Sequence, residues 1–492
     1  MKTEKLFCLL GLLMWTGCLW SSAIIEDPRL VRPGPVLDWD NRRPPNIVLI
    51  LADDMGWNQV GYHGSEFYET PNIDRLAAEG IWFTDAYASS PLCSPTRAGL
   101  MTGRHPARLH ITVHLSLTRD LFVRSLLEPI QSYALPLEET TLAEMLKTIG
   151  YATGHFGKWH LSLDKNYRPG RIFDPESQGF DDVLTTVKPE ADHDPSADGH
   201  SVERITQRAL AFIEANRDRP FFGYVPHHVV HRPLLEHPDL VEKYERKSGA
   251  GEAVNNAEMG AMIERMDAGI GEILDILDRL GLARETIVIF MSDNGGYEVL
   301  QDQAPLRGGK AMLYEGGIRV PLAIRWPGRV APGHKSSVPV VTHDLFPTLM
   351  RAVGLPYVKE RLDGVDLSPI LLEGETELER EAFYWHLPNY HHQGVGPQSA
   401  IRWGDWKLVE NLEASMLGGE GAFELFNLAR DMGEEENLVA DYPELTRQLA
   451  KRLEAWKTEA GVGRMLIRKE WPPYDKIDDP EPPPLPPLPG NR

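Results

Sequence analysis

The chain has 492 residues, 42% hydrophobic and 25% charged, with 51 Lys and Arg against 72 Asp and Glu, a formal net charge of −21. Those proportions are globular ones and exclude intrinsic disorder and collagen-like fibres. The acidic balance argues against a nucleic-acid partner, which calls for a basic field, so an anionic substrate would need a local cationic pocket to hold it.

In chain order, residues 1–23 open with Lys2 and Lys5, run through an apolar stretch from Leu6 to Trp15 and close on Ser21-Ser22-Ala23. This is the pattern of a secretory signal peptide, too short for a stable membrane span, and it places the mature chain in a periplasmic or extracellular space. Lipoprotein anchoring at Cys18 is the lesser alternative. Cleavage near Ala23 removes Cys8 and Cys18, leaving Cys93 as a single thiol with no internal disulfide partner. Residues 24–45 form a Pro- and Asp-rich lead-in.

Asn46–Ala52 (NIVLILA) is a continuous apolar, β-branched run that suits a strand buried on both faces. Residues 220–225 and 286–291 are similar runs, and residues 151–155 a weaker one. Helical patterns lie between them: residues 73–79 ending at Gly80, a capping box from Thr141 to Glu144 opening a helix that stops at Gly150, and Met262, Met266, Ile270, Ile273, Leu277 and Leu280 at helical spacing up to Gly281. Strands alternating with helices predict an α/β fold, a large doubly wound, mainly parallel sheet, over residues 46–375. Residues 109–136 fit neither period and read as an insertion near the site. After about residue 375 the alternation fades. Residues 400–409 and 423–427 read as short antiparallel strands, and Leu445, Leu449, Leu453 and Trp456 form one helix face. Together they predict a smaller C-terminal α+β subdomain over residues 376–470, followed by a Pro-rich tail, 471–492.

Ligands of open α/β sheets bind beyond the carboxyl ends of the strands. Asp53-Asp54, then Lys158 and His160, then His227, His228 and His231, then Asp293-Asn294 each follow one of the apolar runs, so four distant segments deliver ionisable groups to one edge. Asp53, Asp54, Asp293 and Asn294 offer hard oxygen ligands, which suit Ca²⁺, or less well Mg²⁺, better than Zn²⁺. An adjacent pair such as His227 and His228 cannot both point the same way along a strand, which argues against a zinc site there. Pro95 predicts the first turn of a helix running on through Arg104, with Cys93 at its N-terminus and Arg97 on the same face. That place favours an anion, and a thiolate nucleophile is one reading of Cys93.

Cys93-Ser94-Pro95-Thr96-Arg97 and the following AGLMTGR resemble the signature of type I, formylglycine-dependent sulfatases of the alkaline phosphatase superfamily. NIVLILADD (46–54), ETPNIDRL (69–76), GKWHL (157–161), SDNGG (292–296), LRGGK (306–310), YEGGIRVP (314–321), GDWKL (404–408) and ELFNL (424–428) extend the likeness over about residues 45–460. Within the family the chain looks most like bacterial polysaccharide sulfatases and the N-acetylgalactosamine-6-sulfatase type. The resemblance implies an alkaline phosphatase-like fold and hydrolysis of a sulfate monoester on a carbohydrate. It also implies conversion of Cys93 to Cα-formylglycine by a dedicated maturation enzyme. Asp53, Asp54, Asp293, Asn294 and the modified Cys93 would hold Ca²⁺. Arg97, Lys158 and Lys310 would hold the hydrated aldehyde and the sulfate oxygens, His160 would act on the diol hydroxyl, and His228 would protonate the leaving alkoxide. His231 closes the family's His-x-x-His motif without an implied role, and Val229-Val230 stand where relatives often have Ala-Pro. A phosphate or phosphonate monoester hydrolase of the same superfamily is the rival reading, and a non-catalytic binder of sulfated glycans a more distant one. His110, His114, Arg119, Tyr390, His391 and His392 lie in irregular stretches that are candidates for the pocket mouth.

Overall fold

A computed structural model describes residues 30–31, 43–115, 124–162 and 170–468. The expected signal peptide, nearly all of the lead-in, Arg119 and the Pro-rich tail lie outside the described residues.

Asn46–Ala52 is a strand, β1, buried along its whole length. Its neighbours are β2 (Ile81–Phe83), β3 (Ala152–Gly157), β4 (Asp182–Thr185), β5 (Phe221–Pro226), β6 (Thr286–Ser292), β7 (Leu322–Arg325) and β8 (His334–Ser336). The spatial order is β8-β2-β7-β6-β1-β5-β3-β4. The run β6-β1-β5-β3-β4 is parallel throughout, whereas β7 lies antiparallel to both of its neighbours, so the sheet is mainly parallel as expected. Alternation along β1 divides the core. Ile47, Leu49 and Leu51 face a layer containing α2 (Cys93–Thr102), α3 (Leu142–Lys147) and α7 (Leu345–Ala352). Val48, Ile50 and Ala52 face α1 (Pro71–Ala78), α4 (Val202–Ala215) and α5 (Ala257–Arg279). Burial on both faces is why the central strands read as unbroken apolar runs.

Several boundaries differ from the expected ones, each for a local reason. The helix of Cys93 stops at Thr102 because Gly103 takes φ +68°, which leaves Arg104 outside it. The capping box forms as predicted, with Thr141 Oγ1 accepting from Glu144 N and Glu144 Oε2 from Thr141 N. Its helix nevertheless closes at Lys147 and reaches Gly150 through turns. The weak strand at 151–155 runs two residues further, to Gly157, pairing with β5 up to His155 and with β4 to its end. Lys158 therefore follows the strand end directly.

The C-terminal sheet has four antiparallel strands in sequence order: β9 (Phe383–Leu387), β10 (Gln398–Trp403), β11 (Trp406–Asn411) and β12 (Phe423–Asn427). Ile401, Leu408 and Leu425 pack on Leu449 and Leu453 of α8 (Pro443–Glu459). The opposite face, Trp385, Ala400, Val409 and Phe426, packs on Tyr87, Leu313, Tyr314 and Ile318 of the large body. Beyond α8 the chain pairs Leu466–Ile467 with Leu126–Leu127, within the irregular segment read as an insertion. No helix among the described residues is long and apolar enough to cross a membrane.

Candidate active site

The carboxyl ends of β1, β3, β5 and β6 lie side by side, which brings the loops after them together. One ligand atom each from Asp53, Asp54, Cys93 and Asp293 lies within 4.8 Å of all the others, and every one of these residues is buried. Asp54 adopts φ +64°, which turns its carboxylate back beside that of Asp53. Asn294 Nδ2 donates to Asp54 Oδ1 at 2.8 Å, while Asn294 Oδ1 is buried without a hydrogen-bond partner. An orphaned amide oxygen beside three carboxylates is what a hard divalent cation would complete, so the donor set fits the expected metal.

Three cations already face these acids. Lys158 Nζ donates to both oxygens of Asp53 at 2.7 Å, and Lys310 Nζ to both of Asp54 at 2.6 Å. Arg97 gives Nε and Nη2 to Asp293 Oδ2 at 2.9 and 2.8 Å, and Nη1 to the Lys158 carbonyl at 2.9 Å. Arg97 is wholly buried, with its donors on Asp293 and the Lys158 backbone. With three acids against three bases the cluster is formally neutral. A divalent ion would make it a doubly positive seat for an anion. Lys158 holds the Asp53 carboxyl well below the ordinary carboxylate range against the cost of its burial. Burial and the charge of Asp53 push the Asp293 carboxyl upward in spite of Arg97.

Cys93 begins α2, with Sγ 3.3 Å from Asp53 Oδ1, 3.7 Å from Asp54 Oδ1 and 3.5 Å from Lys310 Nζ. Burial and the neighbouring acids raise the thiol pKa far above its usual value. Burial and Asp293 act against the thiolate, while Lys158 and Lys310 act for it.

Of the two adjacent histidines, His228 turns toward the acids. Its Nε2 meets Thr186 Oγ1 at 3.0 Å, and Lys158 and Asp53 both act on its charge. The His227 ring nitrogens are buried without partners, and the charges acting on that ring come from Asp198 and His200. The loop is tied to Asp53 by paired backbone bonds, Asp53 N to Val229 O at 2.7 Å and Val230 N to Asp53 O at 2.6 Å. His160 takes φ +58°, and its Nε2 is 3.2 Å from the Leu115 carbonyl. Burial and Lys158 hold the His160 and His228 rings neutral, well below the ordinary histidine pKa.

Two neighbours went without a role in the sequence reading. His231 Nε2 stands 3.8 Å from Asp54 Oδ2, and Thr186 is the partner of His228. His231 was legible as a motif member, whereas nothing around Thr186 distinguishes it in the sequence. Among the pocket-mouth candidates, the His391 ring is centred 5.1 Å from His114 and 4.5 Å from His392, and His114 lies 6.5 Å from His160. Burial, its neighbouring imidazoles and Lys310 lower the pKa of His391 to about 3, so it is neutral at ordinary pH. Tyr390 N donates to Glu128 Oε1 at 2.9 Å, joining this loop to the irregular segment. His110 is exposed, and its carbonyl accepts from Ser132 N at 2.8 Å.

Residues 45–355 match the family profile described as Sulfatase, and residues 309–459 the one described as N-sulphoglucosamine sulphohydrolase, C-terminal. Human arylsulfatase A is 34% identical over 84% of this chain and 86% of its own. Mouse N-acetylgalactosamine-6-sulfatase is 33% identical over 73% and 72%. The crystal structure of Ps i-CgsB in complex with k-i-k-neocarrahexaose superposes with a TM-score of 0.71 at 26% identity, covering 84% of this chain and 93% of that one.

Proposed function

We propose, since this chain belongs to the sulfatase family and is a sulfuric ester hydrolase, that it cleaves a sulfate monoester on a carbohydrate with a formylglycine made from Cys93. The observation that carries this reading is the convergence of Asp53, Asp54, Cys93 and Asp293 within 4.8 Å, with Lys158 and Lys310 bonded directly to two of the acids.

Asp53, Asp54, Asp293 and Asn294, with the oxygen that replaces Sγ, would hold Ca²⁺, with Mg²⁺ second. When bound, the ion supplies positive charge against the sulfate oxygens and the modified side chain. The hydrated aldehyde supplies a pair of geminal hydroxyls, one to attack sulfur and one to expel sulfate as the carbonyl re-forms. A plain thiol would have no such exit.

The remaining work falls to side chains already in place. Lys158 and Lys310 are held by their carboxylates beside position 93, where they offset the charge growing on the transferring group. Arg97 keeps Asp293 oriented and, with Lys158, would hold the hydrated aldehyde. His228 is bonded to Thr186, and the proton that the attacking diol hydroxyl gives up is the one that, by way of His228, reaches the departing alkoxide. His160, which is neutral, can take a proton from the diol hydroxyl during elimination. Burial of the whole group excludes bulk water and strengthens each of these interactions.

The imidazoles of His114, His391 and His392 form the rim that would meet the saccharide leaving group. In this reading residues 46–375 are the catalytic domain and 376–470 a subdomain that contributes to the rim. Residues 1–23 direct export to the periplasm or exterior, and a formylglycine-generating enzyme is an obligatory partner.

The test compares turnover of an aryl sulfate and an aryl phosphate by the matured, metal-loaded enzyme, with the peptide bearing position 93 weighed in parallel. Sulfate release should exceed phosphate release and accompany aldehyde in that peptide. Cys93→Ala should abolish turnover and leave the melting temperature in place. Phosphate preference, or sulfate release from an unmodified thiol, would overturn the reading.

A further inference from the structure

The C-terminal sheet reaches toward the active site through one buried ionic cluster. Glu315 opens α6 (Glu315–Ile318), on the stretch of chain that also carries Lys310. Both of its oxygens are engaged: Oε1 accepts from Lys407 Nζ at 2.9 Å, and Oε2 from Tyr87 OH at 2.7 Å and Arg319 Nη1 at 3.2 Å. Lys407 belongs to β11, is fully buried, and meets a second carboxylate, Glu434 Oε1, at 2.8 Å. Glu434 lies beyond β12 at φ +54°, and its other oxygen accepts from Glu315 N at 2.6 Å. Its own carbonyl accepts from Arg307 Nη1 at 3.1 Å. Arg319 and Arg402 close the cluster on Asp85 at 2.8 and 3.0 Å.

The chain between this cluster and the active site has little room to adjust. Gly316 N donates to the Arg307 carbonyl at 2.8 Å, Gly295 N to Gly317 O at 2.9 Å, and Lys310 N to Gly296 O at 2.8 Å. A Cβ added to Gly295 would stand 1.8 Å from the Gly316 carbonyl oxygen. The turn bearing Asn294 and the loop bearing Lys310 are thus seated on each other, and the far end of that loop is gripped by Glu434 and Lys407. A buried ionic cluster contributes little net stability over an apolar replacement, because desolvation offsets its Coulomb energy. Fixing one conformation is the use that accounts for such a cluster behind a catalytic loop.

We propose that Glu434, a residue of the C-terminal subdomain, is a positioning residue for catalysis: through Lys407 and Glu315 it sets the 306–318 loop so that Lys310 stands over Asp54 and position 93. The proposal rests on the role given to Lys310 under Proposed function.

The experiment is a double-mutant cycle with Glu434→Gln and Lys310→Ala in the matured enzyme, reading kcat and KM for an aryl sulfate and the melting temperature of each form. Glu434→Gln should lower kcat/KM about tenfold in the parent, the order expected for a misplaced catalytic group. In the Lys310→Ala background the same substitution should cost less than about twofold, because the group it positions is gone. A purely structural defect lowers the active fraction equally in both backgrounds, and equal factors would overturn the proposal. Lys310→Ala with parental activity would remove Lys310 from the reaction, and the positioning role with it. A large Lys310→Ala loss with equal Glu434→Gln factors would leave Lys310 in place and refute the positioning alone. If Glu434→Gln does not accumulate folded, Arg307→Ala takes its place in the cycle with the same two outcomes, since that side chain is 39% exposed and donates to the Glu434 carbonyl.

Discussion

Gly157→Ala tests how closely the strand ends must approach for the site to form. Gly157 closes β3 at φ +133°, and a Cβ there would lie 1.9 Å from the Pro226 carbonyl oxygen at the end of β5. Contacts of this kind below 3.0 Å are essentially never seen, so the two strand ends must part by at least about 1.1 Å, the difference between those distances. Lys158 follows directly, its N–H bonded to that same Pro226 carbonyl at 2.8 Å and its Nζ to Asp53, while His228 lies two residues beyond Pro226. A misplacement of about 1 Å in a reacting group costs on the order of 10²-fold in rate, or about 2.7 kcal/mol of barrier. The glycine-only backbone conformation adds about 1–3 kcal/mol of destabilisation for alanine. The assay is steady-state hydrolysis of an aryl sulfate by matured Gly157→Ala protein, with a thermal melt on the same sample. A kcat within about twofold of the parent would refute the argument that this approach sets the catalytic geometry.

Exhaustive chelation should suppress sulfate release and added Ca²⁺ should restore it. Because Lys158, Lys310 and Arg97 already balance the acids, the chelated protein should keep its far-UV circular dichroism, and activity that survives chelation would count against the metal assignment. His391→Ala should raise KM for a sulfated oligosaccharide more than for a small aryl sulfate. Equal changes for both substrates would remove the rim from saccharide recognition. His386 is held at about 3 by burial, with Nδ1 2.8 Å from Ser399 Oγ and Nε2 2.9 Å from the Gly463 carbonyl. Its folded pKa lies below the unfolded value, so the unfolded chain binds the extra proton. This histidine's contribution is complete above about pH 6.5 and is lost as the pH falls toward 3, with a limiting slope of about 1.4 kcal/mol per pH unit. Urea melts between pH 7 and 4.5 should show a shallower decline for His386→Gln, and an unchanged slope would exclude this residue from the acid sensitivity.

The sequence was informative where burial leaves a local imprint. The unbroken apolar run 46–52, the helix spacing that ends at Gly281 and the Cys93 signature each carry their meaning within a dozen residues, and they placed the central strands, the long helix and the acid-base cluster. What escaped is decided by contacts between distant segments. β7 pairs antiparallel with both β6 and β2, and β2 and β8 are three residues long, too short for any period to declare itself. The bond from Arg97 to Asp293 joins residues nearly two hundred positions apart, and no local pattern announces it. Glu434 sits among three consecutive glutamates in a polar stretch that reads as solvated surface, and only the fold carries it into the interior beside Lys407.

In the proposed reading, the small ribbon formed by Leu126–Leu127 and Leu466–Ile467 would bear on substrate choice as well as on architecture. The residue after it in the earlier segment is Glu128, whose carboxylate anchors Asn389 and Tyr390 immediately before the imidazole rim. On that reading the last described strand of the chain would act as a buttress for the doorway through which a saccharide would enter. Shortening the protein to residue 460 would spare every group around Cys93 and yet slacken that doorway, separating the ability to split a sulfate ester from the ability to choose one.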